Sequence, residues 1–343
     1  MPRRLPFYLL LDISESMIGE PVAKLNEAAK RMFAALKRNP LAMDTMHVCV
    51  ITFANVARMP IPLTELNLAN LPPLSVRPGT ALGAALTMLK KSLDEDVVKN
   101  SPEAKGDYKP VVFVVTDGEP TDEWLGPLKA LENARPRPDI VCVGCGDEVN
   151  FSVLTRISEK TVSLVDLTDD SLPKFFAWVS ASVGAHSEAV VSGGGERRVV
   201  SLEKIPLPAG AKKVNLEKLP ETAGGKRIFL HSKCGKTGKH YTMICERDEK
   251  TGIYRHRKSH PLPENFFEGA ASGPARPVNI ALARGAFPCP FCGGNSFCFC
   301  GSCRNLFCRD RHDPAPKVVC PHCREVFGRP AEGGDAVMDD SMG

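Results

Sequence analysis

Five apolar runs within the first 166 residues constrain this 343-residue chain more than any other feature. Residues 7–12, 46–53, 111–116, 139–143 and 161–166 are continuously rather than alternately apolar, so each is expected to be a strand buried on both faces. Helical spacing lies between them, at 20–37 (Val22, Leu25, Ala29, Met32, Phe33, Leu36), 79–93, 123–134 and 170–183. Strand–helix alternation of this kind predicts a doubly wound α/β domain, with a mostly parallel sheet and helices on both faces. Residues 56–63, "VARMPIPL", add a short edge strand, because two prolines exclude a central position. Such sheets bind ligands beyond the carboxyl ends of their strands, so the chemistry is expected at that edge.

Three loops bring hard oxygen ligands to it. The first strand runs straight into Asp12-x-Ser14-x-Ser16; "RPGTALGAAL" places Thr80 after a Pro-Gly turn; and "VVFVVTDGEPTD" ends its strand at Asp117. Singly, each has an ordinary reading. Serines and threonine cap helices, and Asp-Gly makes turns. Together, two carboxylates and three hydroxyls at successive strand ends suit one small divalent cation. Mg²⁺ is the first expectation, with Mn²⁺ or Ca²⁺ as substitutes, and few protein anions would leave it residual charge and an open position.

These residues carry a resemblance. Residues 5–187 resemble a von Willebrand factor A domain, and the three loops match its metal-ion-dependent adhesion site. The resemblance implies that Ser14, Ser16 and Thr80 bind the metal by their hydroxyls, and that Asp12 and Asp117 bind it directly or through water. More narrowly, "LPFYLLLDISESM", "MHVCVITFA", "GTALGAAL" and "VVFVVTDGEPTDEW" resemble the TerY-like proteins of bacterial tellurium-resistance clusters. Glu15 departs from the small residue, often Gly, that many members carry between the serines. A positive φ there would strain Glu15. The resemblance implies a protein–protein adaptor, with a serine/threonine kinase and a metal-dependent protein phosphatase as partners, in a stress or phage-defence system.

Catalysis is not expected. A strand ending in Asp also describes haloacid-dehalogenase-type phosphatases, but the general acid expected two residues later is Ser14 here, a poor proton donor near neutral pH. Glycine-rich phosphate-binding signatures are absent from the sequence.

Eight of the 13 cysteines fall between 289 and 323: Cys289, Cys292, Cys298, Cys300, Cys303, Cys308, Cys320 and Cys323. C-x-x-C turns aim pairs of thiolates at one point, so two four-cysteine zinc sites are expected, with iron–sulfur ligation as the chemical alternative. Sequential and interleaved pairings both remain open, as does replacement of a cysteine by His312 or His322. The segment matches the metal-binding module that accompanies A domains in TerY-like proteins. His231, Cys234, His240 and Cys245 are spaced too loosely for a third site and read as strand residues. Cys49, Cys142 and Cys145 read as buried thiols.

The expected organisation is an A domain over 1–187, a linker with a small basic β-meander over 188–286, a zinc-ribbon-like module over 287–326, and a disordered tail over 327–343. Residues 196–260 hold 16 Lys and Arg against 7 Asp and Glu, a balance of +9 in a chain of net charge +4. That asymmetry suits an acidic partner. Nucleic acid is the competing partner, bound by the zinc module and by strands bearing Tyr241 and Tyr254. No run approaches the roughly 20 apolar residues of a membrane helix, and the arginine-led start is too short and wrongly ended for a signal peptide. A cytoplasmic location is the expectation.

Overall fold

The computed structural model describes residues 3–116, 119–145, 149–164, 174–179, 211–214, 227–268, 277–279, 282–309, 317–328 and 337–339. The chain divides into two compact units, Met1–Val76 with Thr80–Thr222, and Arg77–Gly79 with Ala223–Gly343.

The first unit is built on a seven-stranded sheet. Its strands are β1 (Leu5–Asp12), β2 (Met46–Phe53), β3 (Ala57–Glu65), β4 (Val111–Thr116), β5 (Asp139–Cys145), β6 (Thr161–Leu164) and β7 (Ala211–Lys213), in the order β3-β2-β1-β4-β5-β6-β7. Strands β1, β2, β4, β5 and β6 run parallel, while β3 and β7 pair antiparallel at the two edges. Pro60 and Pro62 thus lie in an edge strand, where missing N–H donors disrupt least. β7 extends the first unit beyond residue 187.

Alternate residues of the central strands serve two different cores. Tyr8, Leu10, Val112 and Val114 pack with Leu82, Leu86, Leu89, Leu128 and Leu131 from α3 (Leu82–Glu95) and α4 (Leu125–Glu132). From the other face, Phe113 meets Phe175 and Trp178 of the helical segment 174–179, at ring separations of 6.1 and 6.4 Å. Apolar residues at every position are therefore needed, each contributing roughly 1.5–3 kcal/mol on full burial. The first helix, α1 (Glu20–Lys37), buries Leu25, Ala28, Ala29, Met32, Phe33 and Leu36 as a single stripe. Two short helices were not apparent from periodicity. In α2 (Pro40–Thr45) Asn39 Oδ1 accepts from the N–H groups of Leu41 and Ala42, and in α5 (Phe151–Ile157) Asn150 Oδ1 accepts from Ser152 N–H.

In the second unit the meander and the cysteine-rich segment share one sheet. Strands β8 (Arg227–Lys233), β9 (His240–Arg247) and β10 (Tyr254–Pro261) form the expected meander. They join β12 (Ala283–Arg284), β13 (Ser296–Phe299) and β14 (Leu306–Arg309) in the order β12-β10-β9-β8-β14-β13. The parallel pairing of Leu306 with Ser232 and Phe307 with Lys233 removes the boundary expected at 287. Its core holds Ile228, Leu230, Tyr241, Met243, Cys245, Phe287 and Leu306. Strands β15 (Lys317–Val319) and β16 (Val326–Gly328) make a separate hairpin. Val337–Asp339 (β17) pairs with Pro277–Asn279 (β11), so this part of the tail is strand rather than disordered. Among the described residues no helix is long and apolar enough to cross a membrane.

Candidate metal centres

The first centre stands where β1 and β4 lie side by side, the point from which the sheet's connections run outward in both directions. Asp12 ends β1 with 1% of its surface exposed, and Ser14 follows at 2%. The Ser14 N–H donates to Asp12 Oδ1 (2.9 Å), the Thr116 hydroxyl donates to Asp12 Oδ2, and the Ser14 and Ser16 hydroxyls lie 2.8 Å apart. Ser14 does not cap a helix by its side chain. Ser14 precedes the 3₁₀ turn Glu15–Met17, and Gly19 (φ 87°) precedes α1, both without a side-chain cap. Glu15 lies in the 3₁₀ turn and is not among the described non-glycine residues with positive φ, so the strain expected there does not arise.

The Thr80 loop hangs on the same strand end. Ile13 N–H donates to Phe53 O (2.9 Å) and Ala81 N–H donates to Ala54 O, so the last residue of β2 and the one after it anchor both loops. Thr80 N–H donates to Thr121 Oγ1 and Thr121 N–H to Thr80 O, each at 2.9 Å, tying this loop to the one after β4. The capping of α3 comes from Asp122, whose two carboxylate oxygens accept from Gly83 and Ala84 N–H at 2.9 Å. Thr80, 6% exposed, is therefore not the cap its sequence position suggested. Thr116, Thr121 and Asp122 were missed by sequence reasoning, although "TDGEPTD" holds the last two at fixed offsets from Asp117. Asp117 lies outside the described residues.

This cradle fits a cation. Burial drives the Asp12 carboxyl up to about 6, against hydrogen bonds from Thr116 and Ser14 that pull it down, with Glu15 nearby adding to the rise. A carboxylate so enclosed is stabilised by a neighbouring positive charge.

The cysteines form two four-thiol clusters with an interleaved pairing. Cys234, Cys289, Cys292 and Cys308 form one; Cys300, Cys303, Cys320 and Cys323 form the other; within each, all sulfurs lie within 4.8 Å of one another. Four sulfurs about 2.3 Å from one tetrahedral zinc would lie about 3.8 Å apart. The pairs Cys300–Cys323 and Cys303–Cys320 are at 3.7 Å and Cys292–Cys308 at 3.5 Å. All 13 cysteines are free thiols.

Cys298 is the one expected zinc ligand outside both clusters, and Cys234 takes its place. Cys298 faces Phe307 across β13–β14 and packs beside Cys300, Val318 and Cys320 as a half-buried strand residue. Cys234 belongs instead to a repeated turn. In Cys234-x-x-Thr237-Gly238, Cys289-x-x-Cys292-Gly293, Cys300-x-x-Cys303-Arg304 and Cys320-x-x-Cys323-Arg324, the fifth residue's N–H returns to the first cysteine's carbonyl at 2.7–3.0 Å. That fifth residue has φ between 57° and 71° each time, glycine twice and arginine twice. Thr237 occupies the second cysteine position of the first turn, and Cys308 on β14 completes that cluster. The "CGKTG" turn was the available signal, read without its knuckle shape because it lacks the second cysteine.

The thiols respond to their crowding. Burial raises Cys234, but hydrogen bonds from Thr237 and Lys236 outweigh it and hold the thiol at about 6. Burial likewise opposes the Asn305 and cysteine contacts that bring Cys303 to about 7. Burial pushes Cys320 up to about 12 and Cys308 higher still. Adjacent thiolates repel, so without a cation one ionises at its neighbours' expense; zinc removes the conflict. His322 Nε2–H donates to Leu306 O (3.0 Å) and stands outside the cluster; His312 lies outside the described residues. Cys245 points into the core, His231 and His240 stack on Phe267, and none of the three joins a cluster. Cys49, Cys142 and Cys145 are buried strand residues.

The von Willebrand factor type A domain family matches residues 7–177. No curated protein matches the chain. Among solved structures, proximal thread matrix protein 1 of the mussel byssus is 15% identical, with 52% of this chain and 48% of that one covered and a TM-score of 0.41. A von Willebrand factor type A protein from Catenulispora acidiphila is 20% identical over 54% of this chain and 43% of that one, with a TM-score of 0.40. BatB from Bacteroides thetaiotaomicron is 17% identical over 55% of this chain and 99% of that one, with a TM-score of 0.37. The chain thus spans about half or less of the mussel and Catenulispora proteins.

Proposed function

We propose that the von Willebrand factor type A domain formed by residues 7–177 is a metal-dependent binding module, holding a divalent cation by Asp12, Ser14, Ser16, Thr80 and Asp117 and capturing a carboxylate of a protein partner. The enclosed Asp12 carboxylate, with the paired Ser14 and Ser16 hydroxyls beside it, is the observation that carries this reading. Mg²⁺ would supply an oxygen-seeking charge with an open position, Mn²⁺ or Ca²⁺ substituting for it. The chain's own residues hold and orient: Thr116 and the Ser14 N–H fix the carboxylate, and the Thr80–Thr121 pair joins two of the loops. The role is one of binding rather than catalysis, a reading supported by Ser14 at the position where phosphatases of the haloacid-dehalogenase type carry a general acid. In the second unit, two zinc ions held by the clusters would fix a small sheet as a second docking surface.

The partners fitting this reading are a serine/threonine kinase and a metal-dependent protein phosphatase, in a cytoplasmic tellurium-resistance or stress-defence assembly. They are supported by the resemblance of the loop motifs to TerY-like proteins. Pull-down of kinase and phosphatase products of neighbouring genes tests it, comparing wild type in Mg²⁺, wild type in EDTA and Asp12→Ala in Mg²⁺. Capture by wild type in Mg²⁺ alone is expected. Equal capture in all three would sink the metal-bridge reading.

A further inference from the structure

Toward its Arg227 end the sheet of the second unit has a face that its core does not use, while farther along that face Phe266 and Phe267 pack on His231. Ile228, Leu230, Tyr241, Met243 and Cys245 point to the core, and Tyr254 and Phe287 pack with them. The alternate residues therefore share the opposite face. Register places Arg284 of β12 beside Arg255 of β10, Arg255 opposite Glu246 of β9, and Glu246 opposite Arg227 of β8. This is one row across four strands, three arginines against a single carboxylate. One step along, Lys258 stands opposite Ile244, and Ile244 opposite Phe229. The bulge between His256 and Lys258 frees Arg257 from the ladder, and its guanidinium pairs with Glu246. Arg227, Arg255, Arg257, Lys258 and Arg284 are exposed, while Phe229 and Ile244 are half-buried.

From this arrangement we infer that the β8–β9–β10–β12 face binds single-stranded nucleic acid, with Phe229 as the stacking platform and Arg255, Arg257, Lys258 and Arg284 on the phosphates. A flat sheet bearing an aromatic inside a cationic border suits unstacked bases, whose π-faces meet the ring while their phosphates reach the rim. An acidic peptide would use the cations and leave the ring without a role. A duplex would offer its phosphates and hide its bases. Tyr241 and Tyr254, the aromatics singled out by sequence, cannot serve: Tyr241 is 0% exposed and Tyr254 packs on the inner core. Phe229 is the aromatic that alternation turns outward.

The test uses the full-length, zinc-loaded protein with fluorescein-labelled oligo-dT and oligo-U of roughly 20 nucleotides, followed by anisotropy. Five cations less Glu246 leave about four, and each neutralised phosphate contributes about −0.7, so a log–log salt slope near −3 is expected. The Arg255→Glu/Arg284→Glu pair should abolish binding. Phe229→Ala should weaken it about tenfold or more, and Phe229→Tyr should restore it. Zinc content and circular dichroism of each variant separate a lost surface from a lost fold, and a variant that fails either check is replaced by Arg257→Ala/Lys258→Ala. The inference is overturned by any of four results: no saturable wild-type binding at low salt, binding retained after charge reversal, equal affinity for duplex, or polyglutamate competing as well as oligonucleotide.

Discussion

Replacing Asp12 by asparagine should stabilise the metal-free first unit, the reverse of what removing a ligand does to the loaded one. Asp12 is 1% exposed, and its carboxyl rises from 3.8 to about 6, chiefly through burial. The folded state therefore holds the proton more tightly than the unfolded state. Metal-free stability falls as pH rises from about 4 to about 6 and is flat above, where the buried charge costs on the order of 3 kcal/mol. Asparagine keeps the shape and removes the charge. It gives back about 1 kcal/mol by weakening the bonds from Ser14 and Thr116. The net gain is about 2 kcal/mol at neutral pH, or roughly 4–8 °C in a unit of this size. Saturating Mg²⁺, at about 100 times its dissociation constant, should add about 2.7 kcal/mol to wild type and nothing to the variant, so their order inverts. Trp124 and Trp178 both lie in the first unit, so urea unfolding followed by tryptophan fluorescence reports on it alone. The reasoning fails if Asp12→Asn in EDTA is less stable than wild type from pH 6 to 8, or if Mg²⁺ stabilises both equally.

Cys234→Ser should bring zinc content, read by mass spectrometry of metals, from two ions per chain to one, whereas Cys298→Ser should leave two. Gly83→Ala would set a Cβ 2.0 Å from the Glu123 carbonyl oxygen, so about 3 kcal/mol or more should be lost in urea unfolding. Asp122→Ala, which removes the cap of α3 without a clash, should cost only about 1 kcal/mol by the same measure. Arg304→Gly relieves a positive φ of 57° and should keep both zinc ions while raising the second unit's midpoint by a few degrees in calorimetry.

What could be read from sequence divides along physical lines. The strands of the first unit were legible because burial on both faces demands an unbroken apolar run, and Leu5–Asp12 is buried at every position. The oxygen-bearing loops stood out in the sequence because hydroxyls and carboxylates at strand ends are costly unless something uses them, and four of their five residues, Asp12, Ser14, Ser16 and Thr80, are among the described ones. Thr121 and Asp122 were not, since their work is done on the backbone of Thr80, Gly83 and Ala84, about 40 residues away in the chain. Cys298 was misjudged because spacing alone cannot tell a turn from a strand; within β13 alternation turns its side chain to the face opposite Phe297 and Phe299. Cys234 was passed over for the opposite reason. Its turn has the knuckle's backbone and half of its thiols, and the missing sulfur arrives from β14 through a parallel pairing that no local pattern announces.

The β13–β14 hairpin carries the two clusters in one short span of chain. Its tip is the Cys300–Cys303 turn of one cluster, and its returning strand delivers Cys308 to the other. Lys233 on β8 then holds Pro321 O (3.1 Å), mooring the far half of the tip's cluster to the strand that leads into Cys234. An ion held at either cluster would therefore also fix the hairpin that carries a ligand of its neighbour. With one cluster filled, the other would meet a hairpin whose register is already fixed, so the two sites would load as a linked pair rather than independently.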